Sequence, residues 1–380
     1  MAITGRDERN ASLGVLTSSC GSGVEPPWCA RVIIPKSIHL PHLGESMAKK
    51  RSNRKAHKMT PAVTDLLFTA DTSTFGDSRK YIDTARELSK INRRLYEQGR
   101  MYAYQGLTFI WRADTASNVA TIEVTVKAAG NTWITQNAFV KGRSLWDQMQ
   151  DLVLEDNPSI AGKWHDFKID LDTNQQLSKT LECTDGSGVP IVAGEWFKSR
   201  YVMPQHEVDP ATGLPLAADE FIACLLGDDS ATKKSLTKAY QESRSTVQPL
   251  DPNIPAGMST SFFNLLTDSG SQEPELADTI QEENDAPPYA TDDYIGGATN
   301  GANPLTVAYA AVSNAEVDGR IGSFIAPCGL LQLDIKAYDA SGEIIPPSED
   351  AGVKTVPDID ILLHVAPGMY KGIAAIPMGQ

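Results

Sequence analysis

The sequence predicts a mainly β protein, an antiparallel sandwich with helices and long loops inserted between its strands. Three observations predict it. Apolar and polar residues alternate with a period of two towards both ends of the stretch 61–380. Gly, Pro, Asn and Asp clusters punctuate those runs. The elements also do not follow the regular strand–helix alternation of a doubly wound parallel sheet.

The elements are read in chain order. Tyr81, Ala85, Leu88, Ile91 and Leu95 recur as one apolar helix face, with Gly99 as its stop. Leu107–Arg112 reads as a strand. Ile122, Val124, Val126 and Ala128 alternate with Glu123, Thr125 and Lys127, as a half-buried strand does. Gly130-Asn131 marks a turn before a short strand at Thr132–Thr135. Asn137–Leu154 has helical spacing through Phe139, Leu145, Met149 and Leu152, with Gly142 counting against it. Trp164–Leu171 and Val189–Val202 read as strands, Phe221–Leu226 as a short apolar run, and Ser235–Thr246 as a helix. Leu305–Val312, Ile321–Ala326, Leu330–Tyr338 and Ile359–Val365 close the chain as β segments, with a turn over Tyr338–Gly342.

Composition bounds the function classes. The chain has 380 residues, 41% hydrophobic and 22% charged, which argues against global disorder. Its net charge of −14 argues against a surface that binds nucleic acid all over. Cys20, Cys29, Cys183, Cys224 and Cys328 are scattered and form no CxxC pair, so free thiols in a reducing compartment are expected rather than a zinc ribbon or a disulfide framework. No run of 18 apolar residues occurs, so no membrane span is expected. The N-terminus lacks a secretory pattern.

Charge is strongly segregated. Residues 1–46 are rich in Ser, Gly and Pro and read as a disordered leader or a misassigned upstream start. Met47 opens a start-like basic arm, 47–60. Within it Lys49, Lys50, Arg51, Arg54, Lys55 and Lys58 have no acid among them and no apolar face. Such a run repels itself, is expected to be disordered when unbound, and binds phosphate backbones by counterion release. It also matches a nuclear-localisation signal. The alternative, a solubilising tail, suits an acidic protein poorly. At the other pole, Ser245–Gly319 contains no Lys or Arg. Roughly 250–304 reads as a long exposed acidic loop inserted between strands of the 61–380 body. Calcium binding there lacks a spaced Asp-x-Asp-x-Asp-Gly loop, so a solvated acidic surface is the simpler reading. Arg93, Arg94 and Arg100 read as a solvated helix face or, alternatively, as a second phosphate contact.

The catalytic vocabulary is sparse. The histidines are His39, His42, His57, His165, His206 and His364, with no HExxH, and no GxSxG or Walker A sequence occurs. Asp185–Gly188 and Gly227–Ser230 read as turns. Asp166, Asp170 and Asp172 can share one face of a strand, a weak signal for a nuclease or glycosidase. No catalytic residue, metal ligand or cofactor is expected.

Several segments carry a resemblance: Met47-Ala-Lys-Lys-Arg-Ser-Asn-Arg-Lys, Glu195-Trp-Phe-Lys-Ser-Arg-Tyr-Val-Met-Pro204, Ser235-Leu-Thr-Lys-Ala-Tyr-Gln-Glu-Ser-Arg244, and the ending Val365-Ala-Pro-Gly-Met-Tyr-Lys-Gly372. Over about 47–380 the chain resembles the capsid proteins of small circular single-stranded DNA viruses. Many relatives in that family carry a longer, Arg-rich arm. The resemblance implies a single jelly-roll shell domain, icosahedral self-assembly with copies of itself, packaged single-stranded DNA as partner, and location in the virion, with passage through the nucleus in a eukaryotic host. The rivals are a carbohydrate-binding or hydrolytic β-sandwich, which would set Trp and Tyr beside the Asp166–Asp172 carboxylates in a cleft, and a phage tail or spike protein.

Overall fold

In this computed structural model the described residues are 61–70, 79–111, 118–162, 165–203, 211, 213, 219–243, 246–247, 252–253, 261–264, 278, 303–346 and 358–379. All belong to one compact unit, 57–380. The leader, the basic run at 49–58 and most of the acidic stretch lie outside them.

The first strands are β1 (Asp65–Ala70), β2 (Arg79–Asp83), β3 (Arg100–Trp111) and β4 (Thr121–Ala128), with α1 (Thr84–Asn92) between β2 and β3. A middle group follows: α2 (Trp133–Asp156), β5 (Arg200–Met203), β6 (Asp219–Cys224), β7 (Lys233–Ser235), α3 (Leu236–Glu242), β8 (Thr246–Val247) and β9 (Pro252–Asn253). The chain closes with β10 (Leu305–Ser313), β11 (Asp318–Ile321), β12 (Phe324–Pro327), β13 (Leu330–Tyr338), β14 (Ile344–Ile345), β15 (Ile359–Val365), β16 (Pro367–Tyr370) and β17 (Ala375–Pro377).

Two antiparallel sheets form the main body. One has the order β1-β15-β3, with β11 and β12 following each other along the far edge of β3. The other has the order β10-β4-β13-β2. Their inner faces share one core. Phe68, Phe109, Trp111, Ile361 and Leu363 come from the first sheet, and Ile122, Val124, Val126, Leu331 and Leu333 from the second. Each fully buried Leu or Phe contributes about 2 kcal/mol relative to leaving it in water.

The long strand β3 changes phase in the middle. Tyr102 and Tyr104 point inward, and then Leu107, Phe109 and Trp111 do. The register with β15 shifts between His364 and Val365, so Gln105 is the extra residue of a bulge. Gly106 follows at φ 152°, where an added Cβ would sit 2.3 Å from the Ile321 carbonyl oxygen. Only this break lets both halves of the strand face the core. It also explains why alternation alone located the strand only from Leu107 onward.

The helices are displaced from their predicted limits for local reasons. Residues 79–83 pair with β13, so the helix begins after Asp83, whose side chain accepts from the Arg86 N–H at 3.1 Å. It ends at Asn92, with Arg93 left-handed at φ 54°, rather than near Gly99. The short strand expected at 132–135 is instead the first turn of α2, with Thr132 as its cap. Gly142, which counted against that helix, lies at a contact. A Cβ there would meet Leu236 at 2.6 Å, and its carbonyl accepts from the Tyr201 hydroxyl.

Everything between β4 and β10 is one connection within a single sheet, 129–304. It carries a second core of Ile134, Phe139, Leu145, Phe167, Tyr201, Phe221, Leu236 and Tyr240. Within the stretch read as an exposed acidic loop, Phe262 and Phe263 are buried in this core, because an adjacent aromatic pair outweighs the surrounding polar residues. Of the strands expected at Trp164–Leu171 and Val189–Val202, only Arg200–Met203 forms a ladder, and isolated bridges join Asp170 to Cys224 and Pro190 to Thr184.

Candidate functional site

The residues predicted to hold nucleic acid, Lys49, Lys50, Arg51, Arg54, Lys55 and Lys58, lie outside the described residues. The three carboxylates predicted to share a strand face do not converge, because 165–172 is not a continuous strand. Asp166 is buried and accepts from the Gln98 N–H at 3.0 Å, while its other oxygen has no hydrogen-bond partner. Burial pushes its carboxyl up to about 6, against the opposing Gln98 hydrogen bond and the nearby Lys168 and Arg143 charges. Asp172 accepts from the Tyr81 hydroxyl at 3.0 Å and from the N–H groups of Asn174 and Gln175, so it serves a turn.

Asp170 alone reaches a cleft. This cleft, of about 430 Å³, lies where β2 and α1 meet the inserted connection, and its lining includes Asp83, Asp170, Trp196, Phe197, Lys198 and Lys233. Lys198 Nζ is 3.2 Å from both Asp83 Oδ2 and Asp170 Oδ1, and donates to the Ile169 carbonyl at 2.8 Å. Lys233 Nζ is 2.6 Å from Asp170 Oδ2 and also reaches the Gln175 carbonyl. Asp83 Oδ2 further accepts from Gln98 Nε2 and Trp196 Nε1. Burial acts to lower the Lys198 ammonium, but Asp83 and Asp170 outweigh it and hold it above its ordinary range. Arg86 joins Glu87 and Glu182 beside this network.

The cleft therefore has the Trp-beside-carboxylate form expected of a sugar-binding or hydrolytic site, but its acids are occupied. Each is charge-paired with lysine and hydrogen-bonded, so neither is poised as a general acid or base. The arrangement's evident work is to tie the sandwich to its insertion. Among its lining residues Phe197 and Leu177 remain open to solvent, 78% and 79% exposed.

One constellation escaped the sequence reading because its members are far apart in the chain. His364 Nδ1 lies 2.7 Å from Asp65 Oδ1, and its Nε2 lies 3.2 Å from the Thr108 hydroxyl, across three adjacent strands. The order carboxylate–imidazole–hydroxyl is that of a nucleophilic triad. The setting differs. Thr108 is paired on one side with Leu362 and on the other with Arg320, so its backbone belongs to the ladder and does not form an oxyanion hole. A cross-strand polar row accounts for it. His165 stacks on Trp146 at 4.7 Å and does not face Asp166 as a relay. His206 lies outside the described residues.

Cys183, Cys224 and Cys328 are buried free thiols. Burial pushes Cys183 up to about 12, with Glu87 adding to it, so it is not an activated nucleophile. Among the described residues no group of three His, Cys, Asp or Glu can hold a metal ion, and no helix is long and apolar enough to cross a membrane. No protein-family model, curated protein or solved structure matches this chain.

Proposed function

We propose that this chain is a non-catalytic viral capsid subunit that self-assembles into a shell and meets the packaged nucleic acid through its basic arm. The supporting fold reading is a jelly roll. Counting β11 and β12 as one interrupted strand, eight strands lie in the orders β1-β15-β3-β11/β12 and β10-β4-β13-β2, with every neighbouring pair antiparallel. First and last strands adjoin, and the chain crosses between sheets at each step except β4 to β10. This order supports the jelly-roll reading, since a jelly roll is two Greek keys, as in shell, lectin and cupin domains.

Because that architecture serves several functions, the observation that carries this reading is its junction with the basic run. Six cations in ten residues end at Lys58, just before the sandwich of a chain with net charge −14. A container needs such an element towards its cargo, whereas a groove-reading repressor would carry its basic residues on the fold itself.

Phe197 and Trp196 beside Asp170 favour a second reading, a carbohydrate-binding sandwich. The lysine pairing of both cleft acids supports it less well. Negative-stain electron microscopy of the purified full chain separates the two. Shells of uniform diameter are expected, whereas a discrete monomer or trimer would overturn the capsid reading. Deletion of 49–58 should leave the body folded and weaken salt-sensitive binding of single-stranded nucleic acid.

A further inference from the structure

The chain enters the sandwich beside the C-terminal end of α1. Val63 exchanges two hydrogen bonds with the Asn92 side chain, at 2.8 and 3.1 Å, and Arg94 Nη1 donates to the Pro61 carbonyl at 3.4 Å. Lys58 precedes Pro61 by three residues, so the covalent chain keeps their Cα atoms within about 11 Å. Arg93, in its left-handed position, is exposed at this turn.

A second turn, after β16, packs onto the same place. Lys371 Nζ donates to the Leu95 carbonyl at 2.5 Å, and the Tyr96 hydroxyl donates to the Lys371 carbonyl at 3.0 Å. The Tyr370 hydroxyl accepts from the Glu97 N–H. The Arg100 guanidinium lies 3.6 Å from the centroid of the Tyr370 ring, and Lys371 Nζ lies 5.0 Å from the same centroid. Tyr96 meets Tyr370 edge-on. Glu97 is the one acid in this set, 3.1 Å from Arg100 Nε and 3.8 Å from Lys371 Nζ. Arg100 and Lys371 thus share one carboxylate, and Arg93 and Arg94 follow directly on α1 beside the point where the chain enters the body. These two arginines are not on a helix face at all, because α1 stops at Asn92.

We propose that Arg100 and Lys371, set around Tyr370, together with Arg93 and Arg94 at the end of α1, form a platform that binds the phosphodiester backbone of single-stranded nucleic acid at the root of the arm. This rests on the reading of the arm as a nucleic-acid contact and extends it onto the folded body. The fixed guanidinium on Tyr370 supplies a planar cation, and the turn cations supply counter-charge without reading sequence. A folded platform adds contacts whose geometry is set before binding, so less ordering entropy is lost than along the arm.

The test measures binding of fluorescein-labelled oligo(dT) to the full chain by fluorescence anisotropy over a range of salt concentrations. The variant Arg93→Asn/Arg94→Gln/Lys371→Asn keeps residues that tolerate the left-handed backbone at 93 and 371. Single-stranded binding loses about 0.7 in the slope of log K against log salt per phosphate contact, so the triple variant should lose about 2. Deletion of 49–58 should lose about 4. If the deletion loses its slope while the triple variant keeps the parental one, the platform is wrong and the arm reading stands. If both keep it, both readings fail. Binding of heparin without binding of oligo(dT) also overturns the platform as a nucleic-acid site. Should the triple variant melt well below the parent, Arg93→Asn alone decides. Its exposed side chain should carry about 0.7 of slope, and no change would sink the proposal.

Discussion

Replacing Asp166 by Asn should remove a large pH dependence of stability. The carboxylate is 6% exposed, one of its oxygens lacks a hydrogen-bond partner, and burial raises it from 3.8 to about 6. The folded state therefore binds the Asp166 proton more tightly than the unfolded state. Stability is favoured below the unfolded value and declines as pH rises through the interval from 3.8 to about 6. Above that interval the full penalty is present. A displacement of this size corresponds to about 3 kcal/mol. Asn keeps an acceptor for the Gln98 N–H but does not titrate, so its own baseline cost is independent of pH. Hence the stability difference between variant and parent should grow by about 2 kcal/mol in the variant's favour from pH 4 to pH 7. Urea unfolding of both proteins, at matched ionic strength and across that range, reads it directly. A difference that stays constant with pH would falsify the assignment of Asp166 as a buried, desolvated acid.

Two further outcomes test the fold around this site. Lys198→Ala leaves Asp83 and Asp170 buried with reduced compensation. It should cost about 3–5 kcal/mol in urea unfolding, and a loss under about 1 kcal/mol would mean that the cleft network does not tie the insertion to the sandwich. Gly106→Ala forces a methyl group against the Ile321 carbonyl at a positive φ. It should cost about 2 kcal/mol or more and lower the thermal midpoint, whereas a neutral result would contradict the bulge in β3.

The late strands were legible because their inward residues alternate without interruption, as in Leu331, Leu333 and Ile335 of β13 and Ile359, Ile361 and Leu363 of β15. The first strand was not read at all. Its buried Leu66, Phe68 and Ala70 are too few to establish a period within six residues. Trp196 and Phe197 read as strand residues from their propensity, yet they lie outside any ladder. Aromatic preference for strands reflects packing as much as backbone, and here Trp196 is held by its hydrogen bond to Asp83. The Asp65–His364–Thr108 row and the clustering around Tyr370 join residues from opposite ends of the chain, and the cleft network joins residues up to 115 apart. No local pattern encodes such contacts. The left-handed stop at Arg93 was hidden too, since Arg normally continues a helix.

The topology also changes how the two charge poles relate on the capsid reading. Strands β1 and β3 both run antiparallel to β15, so they start at the same end of the sandwich. Chain entry at 61–64, α1, the β12–β13 turn and the final residues share that end. Leu305 pairs with Ala128, so the connection 129–304 also leaves and returns there. The ends of β1, β3, β10 and β13 and the starts of β4, β11 and β15 lie at the other end, about 40 Å away along β3. The roots of the basic arm and of the acidic connection are therefore neighbours in topology rather than opposite poles of the body. On that reading the proposed contacts of the arm and of the Tyr370 platform lie at one end of the body, so a strand held by the arm is already close to the platform, and the second contact forms at a high effective concentration.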